Sequence, residues 1–280
     1  MDLLTFEKEN QDRIQAVENS FSTAGRPLSK PGRFLMGEGR LMKQGRRKPQ
    51  PKDFYLFNDL LVYGSIILNG RWHKNQKIIP LEDIQLEDME DGVTMTNQWL
   101  LRTPSKSFFV SASSFKEKQA WMNHIEECRL NLLRENRRQP GLVFASSWIP
   151  DQATYKCMRC LGGFTGTKRR HHCRSCGFVV CNTCSKQRAV ISHIHPTKKL
   201  RVCRLCYINN EKEEGGVPRP RGNSICQKSS EEDSDNDEEG VKGEQSFTQS
   251  NWLDSRLGTW GRRSSCDFPT AMHPDEPLTT

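Results

Sequence analysis

Four pairs of cysteines, each pair separated by two residues, lie between positions 157 and 206: Cys157/Cys160, Cys173/Cys176, Cys181/Cys184 and Cys203/Cys206. A Cys-x-x-Cys turn delivers two thiolates to one tetrahedral zinc, and structural zinc sites close at four ligands, so four pairs specify two Zn2+ ions in two four-cysteine sites. Scattered core cysteines would have to repeat the same gap four times. A disulfide framework would need an oxidising compartment, yet Met1 to Glu9 breaks Leu3, Leu4 and Phe6 with charge and reads as neither a signal peptide nor a membrane-spanning start. No later stretch approaches the roughly 18 apolar residues that span a bilayer. With eight of 11 cysteines in metal spacing, the expected home is the reducing cytosol. A segment this short buries too little apolar surface to fold alone, and each structural zinc can contribute roughly 10 to 16 kcal/mol towards folding.

Between the first two pairs runs Lys168-Arg169-Arg170-His171-His172-Cys173-Arg174. The charge balance has the same sign: residues 1 to 206 carry 34 Lys and Arg against 19 Asp and Glu, whereas residues 207 to 280 carry 8 against 15. The first 206 residues therefore seek anions, and both nucleic acid and an anionic membrane surface satisfy that sign.

The remainder divides by periodicity. Residues 5 to 21 read as a helix with Ile14, Val17 and Phe21 on one face, expected to dock on its neighbour. Gly25, Pro27, Pro31 and Gly32 mark a linker. Short alternating or apolar runs follow at Phe34 to Lys43, Phe54 to Phe57, Leu60 to Ile67, Lys77 to Ile79, Trp99 to Arg102 and Phe108 to Ala112, separated by turn formers such as Asn58-Asp59 and Asp91-Gly92. A capping box, Ser114 with Glu117, then starts a helix bearing Trp121, Ile125, Cys128 and Leu132. This is a small antiparallel β domain closed by one helix. The succession of strands containing Phe54-Tyr55-Leu56-Phe57-Asn58-Asp59-Leu60-Leu61-Val62-Tyr63, then Phe108-Phe109-Val110-Ser111-Ala112, and the helix carrying Trp121 resemble a pleckstrin homology (PH) domain over residues 34 to 131. The resemblance implies a seven-stranded open β-barrel with a C-terminal helix, in which Trp121 is core. It also implies a basic, lipid-facing surface at Lys43, Arg46, Arg47, Lys48 and Lys52. Lys52 is followed by Asp53 and Phe54 where tight phosphoinositide binders of the family place an Arg, so headgroup selectivity is not expected from that element.

After a basic linker over residues 132 to 147, residues 148 to 210 resemble the FYVE zinc fingers. Three signatures carry the likeness: Trp148-Ile149-Pro150-Asp151, Arg169-Arg170-His171-His172-Cys173-Arg174 and Arg201-Val202-Cys203. The resemblance implies interleaved zinc ligands, with Cys157, Cys160, Cys181 and Cys184 on one ion and Cys173, Cys176, Cys203 and Cys206 on the other. It implies phosphatidylinositol 3-phosphate as ligand: Arg174 and Arg201 at the 3-phosphate, Arg169 and Arg170 at the phosphodiester, His171 and His172 at the ring and its phosphate, and Asp151 accepting from ring hydroxyls. A phosphate monoester is a dense dianion that suits convergent guanidinium donors. An imidazole with an ordinary pKa of about 6.5 would hold it better as pH falls through neutrality. The loop ahead of the basic run, Phe164-Thr165-Gly166-Thr167, lacks a bulky apolar tip, and weak insertion into lipid is expected of it.

Residues 211 to 280 turn to Glu, Gly, Pro and Ser and read as a disordered acidic tail. Its acidic block, Ser229 to Glu239, is a candidate competitor for the chain's own basic surfaces, and its Ser229, Ser230 and Ser234 precede acids as acidophilic kinase sites do. Trp252, Trp260 and Arg262-Arg263-Ser264 are candidates for a short partner motif or kinase site. One N-terminal helix and linker (1 to 33), one PH domain, one FYVE domain and such a tail together resemble the phafin family. That implies a cytosolic adaptor, peripheral on early endosomes and related lysosomal membranes, which binds unidentified trafficking or signalling proteins and acts in endocytic traffic, autophagy or lysosome-linked signalling. Three other readings fit less well. A RING-type ubiquitin ligase would need a histidine ligand, an exchange factor would need a helical domain where only some thirty residues stand, and a nucleic-acid module leaves Asp151 beside the paired histidines unexplained. No nucleophile–base constellation or phosphate-cradling glycine loop is present, so no enzymatic activity and no nucleic-acid partner are expected.

Overall fold

The strand-period runs form one antiparallel sheet. The computed structural model describes residues 3–21, 25–67, 72–92, 95–136, 141, 143–213, 250–254 and 259–261. Seven strands follow the N-terminal helix α1 (Leu3–Ser20): β1 (Leu35–Gln44), β2 (Pro49–Phe57), β3 (Leu60–Ile67), β4 (Trp72–Pro80), β5 (Gln85–Asp88), β6 (Gln98–Arg102) and β7 (Phe108–Ser111), in the sheet order β4-β3-β2-β1-β7-β6-β5. The sheet's inner face buries Leu41, Phe54, Leu56, Leu61, Trp99, Leu101 and Val110. Helix α2 (Phe115–Asn136) closes that core with Trp121, Ile125 and Cys128. Ser114 caps it, its hydroxyl accepting from the Glu117 N–H at 3.2 Å. The reciprocal half of the capping box is displaced by one residue, because a Glu117 carboxylate oxygen accepts from the Ser113 N–H at 3.3 Å.

Helix α1 lies on the other face of the sheet. Ile14, Val17 and Phe21 are buried there with Leu28, Leu35, Tyr55, Phe57, Leu60 and Val62, each large apolar side chain contributing roughly 1.5 to 3 kcal/mol. Three strands differ from the sequence reading. Strand β2 begins at Pro49, five residues ahead of Phe54. Strand β4 extends well beyond the apolar pair Ile78-Ile79, and β5 carries the pattern Gln-Leu-Glu-Asp, mostly exposed at the sheet edge.

The second body is built on short β pairs: β8 (His171–His172) with β9 (Val179–Val180), and β10 (Arg188–Ile191) with β11 (His195–Arg201), followed by α3 (Arg204–Glu213). Its core is cysteine with Val180, Ile191, Leu200 and Val202, which is little apolar surface for independent folding.

The expectation of a tail without structure changes at two places. Helix α3 runs on to Glu213, and β12 (Asn251–Asp254) with β13 (Thr259–Gly261) returns to the PH sheet, β12 pairing antiparallel with β1. The acidic block, Ser229, Ser230, Ser234 and Arg262-Arg263-Ser264 lie outside the described residues.

Candidate functional site

Cys157, Cys160, Cys181 and Cys184 place their sulfurs within 4.8 Å of one another, and Cys173, Cys176, Cys203 and Cys206 do the same, which is the interleaved grouping. Four thiolates at about 2.3 Å from a zinc stand about 3.8 Å apart, and Cys160 Sγ lies 3.9 Å from Cys181 Sγ. Size and an all-sulfur donor set fit Zn2+. The main chain prepares the ligands: the Cys181 N–H donates to Cys157 Sγ at 3.3 Å, and the Cys203 N–H to Cys173 Sγ at 3.2 Å. Burial works against a thiolate at Cys157, but N–H groups of Cys160, Cys181 and Arg159 outweigh it and lower its pKa to about 6. Two Zn2+ ions at these eight cysteines would fix the surrounding loops.

Arg159, between two ligands of the first group, reaches the second. Its Nε donates to Cys203 Sγ at 3.3 Å and its Nη2 to Cys176 Sγ at 3.4 Å, while the guanidinium lies 4.6 Å over the Phe178 ring. Nothing in a Cys-x-x-Cys spacing marks that residue.

The basic run enters β8 and is held by Trp148-Ile149-Pro150-Asp151. The Ile149 N–H donates to the Gly177 carbonyl at 3.1 Å. Gly177 has φ +73°, and a Cβ there would stand 2.1 Å from the Ser147 carbonyl oxygen, so this turn requires glycine. The Trp148 ring stacks on His172 at 4.9 Å, with the Arg174 guanidinium over it at 3.9 Å. The Arg174 N–H donates to the Arg201 carbonyl at 2.9 Å, which brings the second and third signatures together. Arg201 Nη1 donates to the Ser185 carbonyl at 2.9 Å and to Asn182 Oδ1 at 3.1 Å. Arg169 and Arg170 are exposed beside them, Arg170 lying over Phe164.

His172 departs from the expectation of an open phosphate contact. Its side chain is only 2% exposed, and Nε2 is 2.8 Å from the Ile149 carbonyl and 3.6 Å from Asp151 Oδ1. Burial is the main cause pushing its pKa below the usual 6.5, against the raising effect of the Ile149 carbonyl and the Asp151 carboxylate. His171 is half-buried at the start of β8.

Asp151 is placed by the PH domain as much as by the finger. Its N–H donates to the Arg46 carbonyl at 2.9 Å, and the Arg46 guanidinium lies 3.8 Å from Asp151 Oδ2. Asp151 Oδ1 is buried and has no hydrogen-bond partner among the described residues. From the β6–β7 turn, Lys106 lies 4.9 Å over Trp148. The seam forms a partly open cleft lined by Lys43, Arg46, Lys106, Trp148 and His172 among others. The other PH cations separate. Lys43 is buried, its ammonium 4.5 Å over Phe108; Lys52 Nζ turns away to Ser65 Oγ at 2.8 Å; Arg47 and Lys48 are exposed on the turn. Asp53, where the family's tight lipid binders place an Arg, pairs instead with Arg40 at 2.8 Å and His73 at 2.9 Å.

Comparison with known proteins agrees with this geometry. The sequence model described as the FYVE zinc finger matches residues 147–212, and that of the PH domain matches residues 35–129. A PH domain and a two-zinc FYVE finger in this order define a phosphoinositide-binding adaptor that associates with endosomal membranes and is not an enzyme. No helix among the described residues is long and apolar enough to cross a membrane. Pleckstrin homology domain-containing family F member 1 of Homo sapiens is 47% identical over 243 residues, 82% of this chain and 87% of that protein. Family F member 2 of Homo sapiens is 45% identical over 208 residues, 74% of this chain and 83% of that protein. The chain belongs to this family, the phafins. Among solved structures, the LM5-1 FYVE domain from Leishmania major is 39% identical over 26% of this chain and 83% of that chain, with a TM-score of 0.23.

Proposed function

We propose that this chain reads phosphatidylinositol 3-phosphate on early endosomes through Arg169, Arg170, His171, Arg174 and Arg201, and works there in endocytic traffic, autophagy or lysosome-linked signalling. The observation that carries this reading is the Arg174–Arg201 main-chain bond of 2.9 Å, which holds two guanidinium-bearing residues from distant signatures side by side on a zinc-fixed frame. Guanidinium donors suit a phosphate monoester because they offer it charge-assisted hydrogen bonds. Asp151 would accept from ring hydroxyls and repel a neighbouring 4- or 5-phosphate. Buried His172 serves as the strut between Trp148 and Asp151. The PH cations add general attraction to anionic lipid of roughly 1 kcal/mol each where they lie near the surface.

The test is flotation of the full chain on liposomes carrying each of the seven phosphoinositides. The 3-phosphate lipid should bind best, and Arg174→Ala should weaken it about 10- to 100-fold, as expected for a charge-assisted hydrogen bond of about 1.5 to 3 kcal/mol. Equal binding to all seven lipids, or no effect of the substitution, would overturn the assignment.

A further inference from the structure

Strand β1 has a gap in its inward-facing row. Leu41 and Lys43 are buried at alternate positions, but positions 37 and 39, which continue that row, are glycines. A Cβ on Gly37 would stand 2.3 Å from Trp252 Cε3, and one on Gly39 would stand 2.1 Å from Ser250 Oγ. The two missing side chains are replaced, in register, by two from the far end of the chain. Gly37 is the Cα partner of Trp252 and Glu38 that of Asn251. Strand β7 pairs with β1 only at Met42 and Lys43, so the edge of β1 taken by β12 is one that the barrel itself leaves bare.

The side chains are received with complementary chemistry. The Trp121 indole N–H donates to Ser250 Oγ at 2.9 Å, and the Ser250 hydroxyl and N–H donate to Glu117 Oε1 at 2.5 and 3.2 Å. Trp252 is 4% exposed, edge-on to Trp121 at 4.8 Å and stacked on His124 at 4.0 Å. The alternate residue, Asn251, points outward and donates to the Glu38 carboxylate at 3.4 Å. Backbone pairing with one pocket for a small hydroxyl and another for an indole is how extended peptides are read by sheet edges.

Chain geometry does not force this arrangement. Residues 214–249 are 36 in number and could extend to about 120 Å, so the segment after them is selected by its side chains and not by a short tether. Their large apolar residues are few, Val217, Ile225, Val241 and Phe247, which leaves β12 and β13 as an island beyond a polar connection. We infer that the cleft between β1 and α2 is a strand-docking site for an extended Ser-x-Trp segment, and that residues 250–253 of the same chain are its resident, exchangeable ligand. A partner that takes the site must offer the same pattern, a small hydroxyl two residues ahead of an indole. The long connection raises the local concentration of the resident to the millimolar range at most, so release needs only a competitor and no unfolding of the barrel.

The experiment keeps the chain intact through folding. A protease site replaces residues 240–245 of the full chain, which is purified with zinc and then cleaved. A fluorescent peptide of residues 246–263 is added to the cleaved and uncleaved proteins. The released tail should exchange for the peptide in the cleaved protein, with a peptide carrying Trp252→Ala about tenfold or more weaker, while the uncleaved chain resists it. A Gly39→Val chain, checked for folding by circular dichroism, should fail to bind the peptide after cleavage. Three results would each overturn the inference: a cleaved tail that never exchanges although the protein stays folded, peptide binding insensitive to Trp252→Ala, or an uncleaved chain that is a dimer in solution only while Trp252 is present, which would place the strand on a second copy.

Discussion

At Arg159 one side chain ties the two metal centres together, since it sits in the loop of the first and donates to sulfurs of the second. Donors beyond the ligands stabilise thiolate charge, and losing one commonly costs about 10- to 100-fold in metal affinity. Arg159→Ala should therefore speed zinc release to a chromogenic chelator from the site of Cys173, Cys176, Cys203 and Cys206 by about tenfold or more, and leave one of the two release phases unchanged; two unchanged phases would show that the contact is incidental. The eight ligands were legible because their spacing is set by the local turn each pair makes around a metal. Arg159 was not, because its partners are 17 and 44 residues away and a basic residue inside a metal loop has no local signature. His172 is the converse case. Its neighbours in sequence mark it as part of a basic patch, while burial against Trp148 and Ile149 makes it a structural residue. Sequence shows which side chains share a segment, and only packing decides which of them turns inward.

Among the elements, α2 shows how a late segment changes an early one. His124 on α2 is 3% exposed, and burial lowers its pKa to about 4. The folded chain thus keeps the imidazole neutral, whereas the unfolded chain titrates near pH 6.5. Protonation favours unfolding, so this stability term is complete above pH 6.5 and is lost as pH falls towards 4, amounting to about 2 kcal/mol by pH 5. His124→Phe should remove that term: the parent's urea midpoint should fall relative to the variant's between pH 7.5 and 5, and parallel profiles would refute the assignment. Strands β1, β2, β3, β6 and β7 were legible because each carries buried residues, at the alternate positions Leu41 and Lys43 in β1 and as consecutive apolar runs in β2, β3 and β6. Strand β5 was not, because both of its faces at the sheet edge are largely wet. Strand β12 was not, because its pattern is four residues long and its partner strand is some 200 residues distant. The gap it fills was visible all the same, as two glycines at alternate positions of a strand, which mark a close approach of something else.

The whole molecule is two bodies joined along a seam that includes the Asp151 N–H to Arg46 carbonyl bond and the lysine and arginine faces around Trp148. The ion pair in that seam is half in solvent, Arg46 being 43% exposed, so its own worth is about 0 to 1 kcal/mol. Reversing its sign is more informative than removing it. Arg46→Glu sets a carboxylate beside Asp151 and should open the seam, seen as a larger radius of gyration in X-ray scattering and faster amide exchange at residues 148 to 151, with zinc content unchanged; a scattering curve identical to the parent would mean the seam does not depend on this pair. Stripping zinc with a chelator should unfold residues 148 to 213 while the sheet and α2 keep their thermal transition, because the apolar core of the barrel does not draw on the metal. Strand β12 gives the molecule a further property, one of timing. Asn251 contacts a residue made 213 positions earlier, and at roughly 5 to 20 residues per second of synthesis the interval is about 10 to 40 s. From the completion of α2 at Asn136 until Ser250 is made, about 6 to 23 s at that rate, the nascent barrel presents a bare strand edge and an indole N–H without Ser250. A message that stops anywhere between 214 and 249 encodes both recognised domains in full, yet its product would keep that bare edge for life.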